Sequence, residues 1–154
     1  MIFKKIRYLT FAYVSKFFAW LLVVELPPVL SVTAIIFKDG KILTLKLSYY
    51  DGYGLPGGLV SGDEDLETAV RREVFEETGL TVTSLHLLGS VSVPFKGIDS
   101  ITVAYQVETK GEIVDSVEGS LEWLAPEEVH QKLVYPNAQL VLEKYFLNHE
   151  SHRD

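Results

Sequence analysis

The stretch from Leu66 to Thr78 is the strongest helical pattern in the chain, and its inward face changes character halfway along. At about 100° per residue, Leu66, Ala69 and Val70 share one side, and Glu73, Glu76 and Glu77 extend that side within an arc of about 100°. A helix of this kind must set its first half on a core and its second half against something that accepts negative charge. Glu73 and Glu77 are also a like-charged i, i+4 pair, which costs about a few tenths of a kcal/mol. A solvated acidic face stabilised by an Arg72–Glu76 pair is one reading. A bound divalent cation is the other, and it answers both the repulsion and the inward placement. Oxygen ligands without any cysteine favour a hard ion, Mg²⁺ first and Mn²⁺ second.

At 154 residues the chain is long enough to bury one proper core, and 47% hydrophobic with 23% charged residues marks it as globular. The net charge of -7 argues against non-specific nucleic-acid binding and leaves any phosphate substrate dependent on local cations. There is no cysteine, which excludes disulfides, thiolate metal ligands and a thiol nucleophile, and fits a reducing, cytoplasmic compartment.

Residues 1–26 differ from the rest: Lys4, Lys5 and Arg7 precede an aromatic-rich apolar run interrupted by Lys16 and ended by Glu25 and Pro27-Pro28. No small-x-small cleavage site follows, and Lys16 sits in the middle of what would be a membrane span. A helix packed on its own domain or on a second copy (a homodimer) is one expectation. A helix lying weakly in a membrane interface is the other. Residues 27–154 are expected to form the second unit, beginning with a Val/Ile-rich strand over 29–37 and an Asp39-Gly40 hairpin turn. In the following strand Leu43, Leu45 and Leu47 face one way and Thr44 and Lys46 the other. Residues 49–54 read as a loop. Asp63 or Ser61 is expected to cap the Leu66 helix and Gly79 to end it. Strands follow over 85–93, 101–107 and 121–124, with a brief helix opened by Pro126 and a final one over 138–147. The pattern is α+β: a mixed sheet covered by helices.

Leu55-Pro56-Gly57-Gly58 precedes the helix and lets backbone approach a ligand closely. From there the chain reads Gly58-x5-Glu64-x7-Arg72-Glu73-Val74-x-Glu76-Glu77-x-Gly79-Leu80. This resembles the Nudix hydrolase motif at every fixed position. The resemblance covers roughly residues 29–147 and implies a loop-helix-loop on an α/β/α sandwich that hydrolyses a nucleoside diphosphate linked to another group. It implies that Glu73, Glu76 and Glu77 hold Mg²⁺, joined by a glycine carbonyl at Gly57 or Gly58. It implies that Arg72 orients a catalytic glutamate and that Glu64 steadies the helix start and assists the metal site. Ser61 and Asp63 depart from the Glu and Gly of many relatives, which suggests a shifted loop or altered metal affinity.

The chain shows no Ser-His-Asp or Cys-His set, so the expected nucleophile is a metal-activated water with a nearby carboxylate as base. Glu118 and Glu73 compete for that role. Glu118 stands in VEGSLEWL, similar to a segment of MutT-type enzymes with one residue fewer. Lys46 matches an arginine that contacts phosphate in those enzymes, and is equally readable as an exposed strand lysine. Asn137 and Gln139, in YPNAQL, resemble the segment that reads the base there, since a side-chain amide offers paired donor and acceptor. A helix cap at Asn137 is the competing reading. These leads favour a MutT-like pyrophosphohydrolase acting on a nucleoside triphosphate. A nucleotide sugar, dinucleoside polyphosphate or other diphosphate metabolite is the enzymatic alternative, and a nucleotide-sensing module without turnover is the non-enzymatic one.

Overall fold

The computed structural model describes residues 13–17, 27–94 and 98–146. Residues 13–17 form a short helical stretch on which Tyr13, Val14 and Phe17 are exposed. The rest of the expected N-terminal helix lies outside the described residues. No described helix is long and apolar enough to cross a membrane.

The chain lays down β1 (Val29–Lys38), β2 (Lys41–Leu47), β3 (Tyr53–Gly54), β4 (Gly57–Leu59), α1 (Leu66–Thr78), β5 (Thr81–Ser92), β6 (Ser100–Lys110), β7 (Gly119–Leu124), α2 (Pro126–Lys132) and α3 (Pro136–Tyr145). The sheet is mixed: β1 runs parallel to β6 and antiparallel to β4, and β5 pairs antiparallel with β6. Asp39 and Gly40, at φ 51° and 74°, supply the two left-handed residues of a tight hairpin turn. Beyond that turn β1 and β2 pair only at Phe37–Ile42 and Lys38–Lys41, then part. β2 goes on to pair with β3 and β7, while β1 stays with β4 and β6. β4, on which the motif helix rests, and the β2–β7 pair therefore belong to separate half-sheets.

Strand alternation divides the core into two layers. Val32, Ala34 and Ile36 face α1 together with Val103, Tyr105 and Val107 of β6, and Ala69, Val70 and Val74 of the helix close that layer. Ile35, Ile42 and Ala104 face the other way, under Val129 of α2 and Val141 and Leu142 of α3. Helix, sheet and helices thus form the expected α/β/α sandwich.

Several local expectations change. The cap of α1 is Asp65, not Asp63 or Ser61: its extended backbone directly precedes Leu66, and its carboxylate accepts from the Thr68 N–H at 2.7 Å. Ser61 instead donates its N–H to Glu64 at 2.8 Å. Asp65→Ala should lower stability by about 1 kcal/mol and Asp63→Ala by much less, as read from urea midpoints; equal effects would contradict this cap. Gly79, at φ 73°, ends the helix as expected. Thr44 is fully buried because α2 covers that face of β2, so Lys46 alone of the pair is exposed. Tyr53–Gly54, expected in a loop, pairs with Leu45 and Lys46. β5 starts at Thr81 and β6 runs to Lys110, because their ladder absorbs register shifts and continues.

Candidate active site

The second half of α1 lies against β4, and this apposition builds the site. Gly57 N–H donates to Glu77 Oε2 at 2.9 Å, linking the strand to the helix. A side chain on Gly57 would overlap the Val32 carbonyl, and its φ of 153° also disfavours one. A Cβ on Gly58 would come within 2.5 Å of Glu73 Oε1. The expected close approach of the Gly-Gly backbone is therefore to the carboxylates themselves. Gly58→Ala should push Glu73 aside and lower turnover at least about tenfold with the fold retained, measured as kcat beside a melting curve; unchanged kcat would remove Glu73 from the site.

Burial divides the three glutamates. Glu77 is 7% exposed, Glu73 is mostly buried and Glu76 is half exposed. Burial pushes the Glu77 carboxyl up to about 8; the Gly57 N–H opposes this, while Glu118 and Glu73 add repulsion. Burial also raises Glu73, against the pull of Arg72 and with Glu76 and Glu118 repelling it. Glu118 thus acts on both helix carboxylates from outside their helix. The end of the β2–β7 ladder puts it there: Leu47 pairs with Gly119, and Ser48 N–H donates to the Glu118 carbonyl at 2.9 Å.

Arg72 organises the solvent side. It donates to both oxygens of Glu64, at 2.9 Å from Nε, to Glu73 at 2.7 Å and to the Leu59 carbonyl at 3.2 Å, with Glu76 at 3.5 Å. Arg72 and the Ser61 N–H hold Glu64 down at about 2. Glu64 is therefore an ionised brace between loop and helix, with both oxygens engaged. The i, i+4 pair of Arg72 with Glu76 exists but is the longest of these contacts.

Other sequence leads scatter. Lys46 is exposed on β2, opposite Tyr53 and Ser120. Asn137 Nδ2 donates to Thr102 Oγ1 at 2.8 Å, itself 2.8 Å from Ser31 Oγ, so this amide is tied to the sheet. It is not a helix cap: Tyr135 occupies that position, without a side-chain bond. Gln139 Nε2 donates to the Leu133 carbonyl at 2.7 Å and braces the turn between α2 and α3. His130 pairs with Glu143 at 2.8 Å. A tyrosine group not singled out by the sequence brings Tyr49 to Tyr135, their hydroxyls 3.1 Å apart, and Tyr50 edge-on to Tyr49. Burial raises the Tyr135 phenol, then the Tyr49 hydroxyl and Glu118 raise it further. Only their nearness in the fold marks them, since the chain holds eight tyrosines.

Among the described residues no three acidic or histidine side chains are drawn together at the spacing of a closed metal cage. The donors nonetheless suit a hard cation: they are oxygen only, and the buried Glu77 carboxylate accepts one backbone N–H and is repelled by Glu118 and Glu73.

A motif helix carrying these carboxylates, laid on a Gly-Gly strand of an α/β/α sandwich, defines the Nudix class. The Nudix domain family matches residues 27–145, and the chain belongs to that family of hydrolases. It is 32% identical over 110 residues to a MutT-like protein of Streptomyces ambofaciens, covering 70% of this chain and 71% of that one. It is 44% identical over 72 residues to an ADP-ribose pyrophosphatase of Methanocaldococcus jannaschii, covering 45% of this chain and 43% of that one. The solution structure of the E. coli ORF135 protein superposes with a TM-score of 0.70 at 29% identity, covering 83% of this chain and 94% of that one.

Proposed function

We propose that the protein is a Mg²⁺-dependent pyrophosphohydrolase whose substrate is a nucleoside triphosphate. The observation that carries this reading is the close approach of Glu73 and Glu77, both on the motif helix, to the Gly57–Gly58 strand, with burial the main cause raising both carboxyls and Glu118 repelling each. Glu73, Glu76 and Glu77, with a Gly58 carbonyl, would hold the cation, and Glu64 would support them through Arg72. When bound, the cation supplies charge neutralisation to the phosphoanhydride and acidifies a water.

The chain's own residues do the rest. Arg72 orients Glu73 through its 2.7 Å hydrogen bond to the carboxylate. Glu118, on the opposite wall, accepts the proton of the attacking water, because it faces the carboxylates without belonging to their helix. Lys46, exposed on β2, contributes positive charge to the phosphate chain in a protein of net charge -7. Asn137 and Gln139 each keep amide capacity beyond the one bond described, and can meet a base edge.

The similarity to the MutT-like protein supports the triphosphate reading. The partial match to the ADP-ribose pyrophosphatase favours a second one, a nucleoside diphosphate linked to a sugar. A screen of nucleoside triphosphates, nucleotide sugars and dinucleoside polyphosphates with Mg²⁺, identifying products, separates them. Release of pyrophosphate and a nucleoside monophosphate is expected. Turnover confined to nucleotide sugars would install the second reading, and binding without turnover would make the protein a sensor.

A further inference from the structure

We propose that Thr33 is a positioning residue for Glu77: its buried hydroxyl sets the plane of the Pro56–Gly57 peptide, and the N–H of that peptide holds the carboxylate. This rests on reading Glu77 as a cation ligand, and adds what keeps it in place before any cation arrives.

A hydroxyl at position 33 needs a reason. Thr33 is 6% exposed and stands on β1 among Val32, Ala34, Ile35 and Ile36, where valine would suit a buried strand equally well. A buried hydroxyl is costly unless it is hydrogen-bonded. This one donates to the Pro56 carbonyl at 3.3 Å. The same carbonyl accepts the Ala34 N–H at 2.7 Å, so it takes donors from two adjacent residues of β1. The Pro56–Gly57 peptide is trans and planar, so its N–H points away from its carbonyl. With the carbonyl drawn to β1, the N–H is turned toward α1, where Glu77 Oε2 accepts it at 2.9 Å. One rigid plane therefore joins Thr33 to Glu77.

The second donor matters because of the two residues that flank the plane. The Pro56 ring fixes its own φ, so the plane turns mainly about Pro56 ψ and Gly57 φ. Gly57, without a side chain and at φ 153°, resists that turning least. It has no replacement there: it lies opposite Thr33 in the β1–β4 register, and a Cβ on it would come within 2.8 Å of the Thr33 Cα. Close packing thus demands the residue that leaves the plane loosest. A single bond from Ala34 leaves the plane free to tilt about that bond, and the Thr33 hydroxyl is the second point of attachment. Partners that orient a metal ligand in this way tune the affinity of the site without touching the ion.

The test reads the peptide directly, as hydrogen exchange of single backbone amides by NMR in the metal-free protein. Thr33→Val keeps the shape of the side chain and leaves the Pro56 carbonyl its bond from Ala34, so the fold should hold. In that variant the Gly57 amide should exchange about five- to tenfold faster, as for the weakening of one hydrogen bond, while the Ala34 amide keeps its rate. Thr33→Ser restores the hydroxyl and should restore the Gly57 rate. Affinity for Mn²⁺, read from water proton relaxation, should fall at least about fivefold in Thr33→Val and recover in Thr33→Ser. Should Thr33→Val not fold, Thr33→Ala carries the same expectations. Equal Gly57 exchange in wild type and variants, equal acceleration at Gly57 and Ala34, or Mn²⁺ affinity that ignores the Gly57 rate would each overturn the proposal. Failure of the hydrolase reading registers separately, as no metal-dependent turnover in a wild-type protein whose variants show the expected exchange and Mn²⁺ pattern.

Discussion

Replacing Glu77 by Gln should lower Mg²⁺-dependent turnover by on the order of 10² to 10³ while leaving the fold intact. The amide has the same shape, and its oxygen can still accept the Gly57 N–H that joins β4 to α1. What it loses is the buried negative charge beside Glu73 and Glu118. If that charge exists to hold a cation, the variant should need far more Mg²⁺ for any residual activity, and the metal-free protein should melt no lower than wild type at pH 8. Turnover at the wild-type rate from a folded Glu77→Gln protein would sink the assignment of the metal site.

The metal-free wild-type protein should become less stable as pH rises from about 5 to 8. Glu77 has an ordinary value near 4.5 when unfolded and about 8 when folded, so the native state binds its proton more tightly. Its stabilising contribution is fully present below the unfolded value and is lost as pH rises through the folded one. Glu73 shifts in the same direction for the same reason. Glu64 shifts the other way, to about 2, so its contribution is lost only as pH falls well below this window. The loss between pH 5 and 8 should be about 2 to 4 kcal/mol, read as urea midpoints in EDTA. Mg²⁺ should restore most of it at pH 8 and little at pH 5, since the cation favours the ionised carboxylates. Glu77→Gln should flatten the dependence. Stability in EDTA that stays level or rises over this range would contradict the burial of an acidic Glu77.

How far the site could be read in advance depended on whether a residue's role was local. Glu73, Glu76 and Glu77 share a helix, so their common face follows from helical period, and Ala69, Val70 and Val74 locate the core on the same side. The Asp39-Gly40 turn and the Gly79 stop are equally local, being set by backbone preferences of single residues. The cap is not local in this sense: Ser61, Asp63 and Asp65 are all competent residue types, and only the backbone direction at Asp65 chooses among them. Alternation places Thr44 on the face of β2 opposite Leu43 and Leu45 but does not say whether a helix covers that face.

The order of residues alone determined the acidic helix, the glycines before it and the chemistry that oxygen ligands and an absence of cysteine permit, because each is carried by neighbours in the chain. Tertiary structure alone decided which carboxylate is buried, that Arg72 spends itself on Glu64 and Glu73, that Gln139 braces a turn, and that Glu118 faces Glu77 beside Tyr135. Burial and charge coupling depend on distances between segments tens of residues apart, and those distances are set by where β1 and β2 part and by the β2–β7 register.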